Sequence, residues 1–114
     1  MSSKRIVVTM GDPAGVGPYV TVKALAALSR SAAEFIVIGD AKVLARYGAL
    51  VSQQNVRIVD MKNARAVKPG KVSASSGAAS YEYLVRAVKL IRDGDADTIV
   101  TAPVSKEAIS QACG

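Results

Sequence analysis

Two stretches of this chain combine residue types suited to holding an anionic ligand. They are Met10-Gly11-Asp12-Pro13-Ala14-Gly15-Val16-Gly17-Pro18 and Thr101-Ala102-Pro103-Val104-Ser105-Lys106-Glu107-Ala108. Glycine permits positive φ and close approach of a ligand to the main chain, while the first N–H groups of a helix lack internal partners and carry partial positive charge. The glycine spacing G-x-x-x-G-x-G is neither the G-x-G-x-x-G of a dinucleotide fold nor a phosphate loop, because no Gly-Lys-Ser/Thr closes it. Spacing alone therefore leaves two readings open, a ligand-binding turn or a tight strand-to-helix connection. Asp12 has the same pair of roles, a carboxylate beside a helix N-terminus or a side chain that stabilises the turn. Lys106 opposes the helix dipole at a helix start, so it is either solvated or held for an anion.

The elements that must position these groups follow from the apolar pattern. Arg5 to Thr9 is a short β-branched run suited to a central strand, and a helix is expected from about Pro18 to Ser29, with Val22, Leu25 and Leu28 facing a sheet. Pro18 fits a helix start, where its missing N–H is harmless. Glu34 to Ile38 reads as a second strand, Asp40 as the N-cap of a helix over about Ala41 to Tyr47, Gly48 as its stop, and Val56 to Val59 as a third strand. Asp60 to Lys71 loses its period and reads as a loop whose Lys62, Arg65, Lys68 and Lys71 are solvated or reach a phosphate. Ser73 to Gly77 leads into a long helix, about Ala78 to Asp93, with Tyr81, Leu84, Val88 and Ile91 on one face and Gly94 closing it. Thr98 to Thr101 is the last strand, and Ser105 can cap a short helix beyond Pro103.

Strands alternating with helices imply right-handed βαβ units and a parallel sheet, with ligands bound beyond the carboxyl ends of the strands. Both chemistry-bearing stretches leave strands at that edge, so they are expected side by side.

The chain has 114 residues, one domain at most or part of one, and half of them are hydrophobic, enough for a packed core. A net charge of +6 favours anionic ligands, but the basic residues are scattered and one Phe with four Tyr forms no stacking platform, which argues against nucleic acid. A single cysteine, Cys113, excludes an internal disulfide and fits a reducing cytoplasm; with no histidine and no cysteine cluster, a self-contained zinc site is not expected. Neither a long apolar span nor a signal-peptide pattern is present, so the expectation is a soluble cytoplasmic chain without membrane contact.

The two long motifs, together with Ser76-Gly77 between them, resemble the 4-hydroxythreonine-4-phosphate dehydrogenases of pyridoxal phosphate biosynthesis (the PdxA family) and their relatives acting on four-carbon sugar-acid phosphates. The resemblance spans almost the whole chain in the expected order. It implies a three-layer α/β/α fold with a mainly parallel sheet, like isocitrate and isopropylmalate dehydrogenases, as a homodimer. The implied activity is oxidation of a secondary alcohol on a phosphorylated substrate by NAD or NADP, followed by decarboxylation, with a divalent metal (Zn, Mg or Mn) assisting. Family members carry histidine metal ligands and a Gly-His-Thr-Glu segment beyond the lysine motif; neither occurs in this chain, so the metal is expected on residues absent from it. Tyr19 stands where the family usually has Glu, and Ser105 where Asn is common.

Residues 1–114 are therefore expected to be one amino-terminal α/β segment of a longer dehydrogenase, inactive alone and prone to self-association through exposed apolar surface. No catalytic residue is assigned. Gly11, Asp12, Gly15 and Gly17 are expected to shape the floor of a substrate or phosphate pocket, with Thr101 and Lys106 at its side. Two rivals remain: a threonate or erythronate phosphate dehydrogenase, and a non-catalytic nucleotide- or phosphate-binding module.

Overall fold

The computed structural model describes residues 4–113. Four strands, β1 (Arg5–Thr9), β2 (Glu34–Gly39), β3 (Val56–Asp60) and β4 (Thr98–Thr101), form one parallel sheet in the order β3-β2-β1-β4. Val7 lies beside Ile36 on one side and Ile99 on the other, so β1 is central, as its β-branched run leads one to expect.

The helices α1 (Gly17–Ala27) and α2 (Ala41–Ala45) make the first two crossovers, and α3 (Ala74–Arg92) makes the third, from β3 over to the far side of β1. Reversing direction along the sheet while keeping right-handed crossovers puts α3 on the face opposite α1 and α2. This gives three layers with a topological switch point between β1 and β4. The last helix, α4 (Lys106–Cys113), packs on α3. The core is aliphatic and lines both faces, with Val7, Val37, Ile38, Val43 and Leu44 almost wholly buried.

Strand bounds agree with the sequence reading to within a residue, and Asp40 is the N-cap of α2. Three expectations need correction. The helix α3 begins at Ala74, because Ser73 caps it by accepting from the Ser76 N–H, so Ser76 and Gly77 lie inside its first turn. Its sheet-facing side is Ser76, Ala79, Ser80, Tyr83, Ala87 and Leu90, whereas Tyr81 and Val88 face outward. Leu28 caps the C-terminus of α1 and is exposed, whereas Val22 and Leu25 are buried as expected.

The outer side of β4 is open, and Val100 is half exposed. Beside it an apolar groove of about 490 Å³ runs between α1 and β4, lined by Ile6, Val8, Ala24, Leu25, Phe35 and Val100 among others. No helix among the described residues is long and apolar enough to cross a membrane.

Candidate functional site

At the carboxyl edge of β1 the chain turns sharply. Met10 is fully buried and its N–H donates to the Ile38 carbonyl at 2.9 Å, which carries the sheet one residue past β1. Gly11 then takes φ +77, and a Cβ there would overlap the Pro103 carbonyl oxygen. That closeness is productive, because the Asp12 N–H donates to the same Pro103 oxygen at 3.0 Å, while the Ala102 N–H donates to the Thr9 carbonyl at 3.0 Å. The two stretches singled out from the sequence thus meet through backbone hydrogen bonds at the switch point between β1 and β4, where open parallel sheets form their ligand crevice.

Within the turn, Asp12 is buried and its Oδ1 accepts from the Ala14 N–H at 2.8 Å, with its carbonyl accepting from the Gly15 N–H at 3.0 Å. Of the two roles open from sequence, the turn-stabilising one is realised. The amides of Ala14 and Gly15 are thereby spent inside the turn, and that of Asp12 on Pro103, so these three do not form a free anion cradle. Gly17 is required by crowding, since a Cβ would overlap the Met10 carbonyl oxygen; Gly15 is exposed and a Cβ there meets only ordinary contacts. The helix α1 starts at Gly17 without any side-chain cap and without an acidic residue in its first turn, so its N-terminal dipole is uncompensated by a side chain.

Thr101 is exposed at the end of β4. Lys106 is exposed as the first residue of α4 and has no ion-pair partner among the described residues; the helix is capped by Ser105, whose Oγ accepts from the Ala108 N–H at 3.1 Å.

A third segment reaches the turn, the Asp60 to Lys71 loop whose basic residues the sequence leaves either solvated or reaching a phosphate. The Gly70 N–H donates to the Ala14 carbonyl at 2.6 Å, so the connection between β3 and α3 folds over the glycine turn and brings Lys68 and Lys71 to its neighbourhood in the chain. The root of this connection is fixed by two carboxylates at the ends of β2 and β3. Asp40, wholly buried, accepts from the amides of Lys42, Val43 and Ala64, at 2.9, 3.3 and 3.0 Å. Asp60 accepts from Ala41 and Lys62 amides and pairs with the Arg65 guanidinium at 3.0 Å. Lys62 itself sits at φ +54, a conformation that Asp60 helps to hold.

Beneath the loop, the Tyr83 hydroxyl donates to Asn63 Oδ1 at 2.7 Å, and Asn63 donates to Glu82. Burial, reinforced by the negative charges of Asp40, Glu82, Asp60 and Asp12, holds the Tyr83 phenol protonated well above its ordinary pKa of 10.0. A raised folded-state pKa means that the unfolded chain loses this proton first as pH rises. The contribution of Tyr83 is therefore intact below pH 10.0 and lost above it. The thermal midpoint of the native chain should fall more steeply between about pH 10 and about pH 11.5 than that of Tyr83→Phe. Equal slopes would mean that the phenol titrates normally.

Among the described residues no group of three or more His, Cys, Asp or Glu side chains is arranged to hold a metal ion. The residues present do not fit the divalent metal implied by the resemblance. Nor are the Asp12, Ala14 and Gly15 amides, each already donated within the protein, free to cradle a dinucleotide phosphate.

A doubly wound parallel α/β unit with a topological switch point between β1 and β4 is the class of protein that these features define. Residues 18–113 match the family described as pyridoxal phosphate biosynthetic protein PdxA, and the chain belongs to that family. It is 37% identical to a 4-hydroxythreonine-4-phosphate dehydrogenase of Synechococcus sp., over 95% of this chain and 35% of the relative. It is 35% identical to a D-threonate 4-phosphate dehydrogenase of Pectobacterium atrosepticum, over 96% of this chain and 40% of the relative. The crystal structure of a 4-hydroxythreonine-4-phosphate dehydrogenase from Burkholderia phymatum superposes with a TM-score of 0.87 at 37% identity, over 100% of this chain and 40% of that one. The chain corresponds to the amino-terminal portion of these dehydrogenases and spans about two fifths of their length.

Proposed function

We propose that this chain is the amino-terminal wall of an oxidoreductase site that takes a phosphorylated four-carbon hydroxy acid, 4-hydroxythreonine 4-phosphate in the first instance. D-threonate 4-phosphate is the second reading, supported by relatives of that name at similar identity. NAD or NADP accepts the hydride when bound. In this proposal the complete protein works as a cytoplasmic homodimer, and the divalent metal of the reaction is held outside these residues.

The observation that carries the proposal is the 3.0 Å bond from the Asp12 N–H to the Pro103 oxygen. It joins the uncapped start of α1 to the connection bearing Thr101 and Lys106, so that a helix dipole and an unpaired ammonium serve one crevice. Gly11 and Gly17 permit that closeness, and Asp12 and Gly15 set the turn. Phosphate binding rests on Lys106 and the start of α1 rather than on the amides inside the turn.

By itself the chain should form no NADH from NAD, a divalent metal and either phosphorylated acid. Grafted in place of the matching portion of the Burkholderia phymatum enzyme, it should support turnover. Lys106→Ala in that chimera should lower kcat/KM by about 10- to 100-fold, the worth of one charge-assisted hydrogen bond. A folded chimera without turnover would sink the oxidoreductase reading, and unchanged kinetics in the variant would remove Lys106 from the site. Tight, saturable binding of NAD or ATP by the chain alone, read by calorimetry, would favour a binding module instead.

A further inference from the structure

The outer edge of β4 pairs with no strand among the described residues, and nothing in its sequence protects it. Thr98-Ile99-Val100-Thr101 carries neither charge nor proline, and its register with β1 runs without a bulge, so it lacks the devices by which solvent-facing edge strands discourage pairing. The Asp97 N–H donates to the Arg5 carbonyl, so by alternation the Thr98 and Val100 amides face away from β1. The sheet face beside this edge is bare as well. Val100 stands half exposed at the groove between α1 and β4, over Ile6, Val8 and Phe35. Thr21 lines the same groove; it is buried, and its Oγ1 has no hydrogen-bond partner among the described residues. Buried hydroxyls are normally paired, so this one points to an absent acceptor.

Handedness selects the occupant. The helix α3 carries the chain from β3 past β2 and β1 to β4 over one face of the sheet, and α4, which follows β4, packs on α3. A right-handed crossover over that same face moves in the same direction, so a parallel strand following α4 lands on the open edge of β4. Alternate side chains of such a strand turn toward the α1 face, onto Val100 and the groove. The relatives possess the chain to supply it, since the present residues match only 40% of the Burkholderia phymatum enzyme, from its amino end. We propose that the edge of β4 and the adjoining groove dock the carboxyl-terminal remainder of a dehydrogenase of this family, through a parallel strand that bonds the Thr98 and Val100 amides and seats apolar side chains in the groove, with an acceptor on Thr21 Oγ1. Main-chain bonds supply the affinity and the apolar seats fix the register. The inference rests on the chain being the amino-terminal portion of such an enzyme, and its test reads protection and stability rather than turnover.

Hydrogen exchange is compared between the chain alone and the chimera that joins it to the remainder of the Burkholderia phymatum enzyme. The Thr98 and Val100 amides should exchange freely in the chain and be slowed by about 100-fold or more in the chimera. Thr21→Val should leave the thermal midpoint of the chain unchanged or raise it, because an unpaired hydroxyl is removed, and should lower that of the chimera by about 2–4 °C, because a made bond is lost. Val100→Lys should likewise be tolerated in the chain and lower the midpoint of the chimera. Thr98 and Val100 amides that stay unprotected in the chimera, a Thr21→Val effect of the same sign in both proteins, protection that appears in the chain alone as its concentration rises, or a chimera recovered only unfolded would each overturn the proposal. A chimera that turns over with both amides unprotected removes the docking strand and leaves the oxidoreductase reading standing. One that protects both amides without turnover does the reverse.

Discussion

Gly77→Ala should detach α4 from α3 and lower the stability of the chain by about 3 kcal/mol, a fall in thermal midpoint on the order of 10–20 °C. Gly77 lies in the first turn of α3, and a Cβ built on it overlaps the carbonyl of Ala108 and crowds the amide of Ile109 at 2.6 Å. Those are backbone atoms of α4, so no side-chain rotation relieves the clash. Ala108 is wholly buried in the contact, and Ser80, one turn further along α3, turns its hydroxyl back onto the Gly77 carbonyl rather than toward α4. The expected signature is local as well as global. Amide exchange over Lys106 to Cys113 should accelerate more than exchange in β1 or β2, because α4 has its main support on α3. A variant with native midpoint and native protection of α4 would show that the two helices can part without cost. Since Lys106 opens α4, the same substitution should also shift Lys106 relative to the end of β4.

Asp40→Ala carries the second large effect, a loss of about 2–4 kcal/mol. One wholly buried carboxylate satisfies three amides, those of Lys42 and Val43 in the first turn of α2 and that of Ala64 in the loop. Alanine leaves all three without a partner in a dry environment, whereas Asp40→Asn keeps one acceptor oxygen and should cost roughly half as much. The pairing with Arg65 at 3.5 Å adds little, because the guanidinium is partly solvated. Equilibrium unfolding in urea measures both variants. Equal stabilities for Asp40→Ala and the native chain would mean that water replaces the carboxylate freely. The loop should loosen along with α2, and with it the bond from the Gly70 N–H to Ala14 that closes the loop over the glycine turn.

Much of this architecture was legible because β-branched runs and glycine punctuation agree locally with the fold. Arg5 to Thr9 and Thr98 to Thr101 are strands with the same bounds in sequence and structure, and Ser105 and Asp40 cap helices as their positions suggest. The start of α3 was hidden because Ser75, Ser76 and Gly77 are poor helix formers, used here for what they lack in bulk. The wrong face was chosen for the same reason. The buried side is built largely from Ser76, Ala79, Ser80 and Ala87, so the larger apolar residues that catch the eye, Tyr81 and Val88, form the outward stripe. Periodicity finds a stripe but does not say which of two is inside.

The candidate site was legible in its parts. Residues Gly11 to Gly17 and Thr101 to Lys106 do come together, because parallel connectivity puts both at one edge. What the residues did not disclose is that Asp12 spends the turn's own amides, and that the loop carrying Lys68, Gly70 and Lys71 covers the turn. The first is local and is one of the two roles that Asp12 offers by type, whereas the second depends on the backbone bond from Gly70 to Ala14, between segments distant in sequence, for which residue type leaves no mark.

The pairing of β4 with β1 has a consequence for how the protein comes into being. The Arg5 N–H waits for Asp97, 92 positions away, and the central strand has a partner on one side alone until then. On the ribosome, β1 must keep an unzipped flank through nearly the entire synthesis of these residues, and the crevice is the last thing to close.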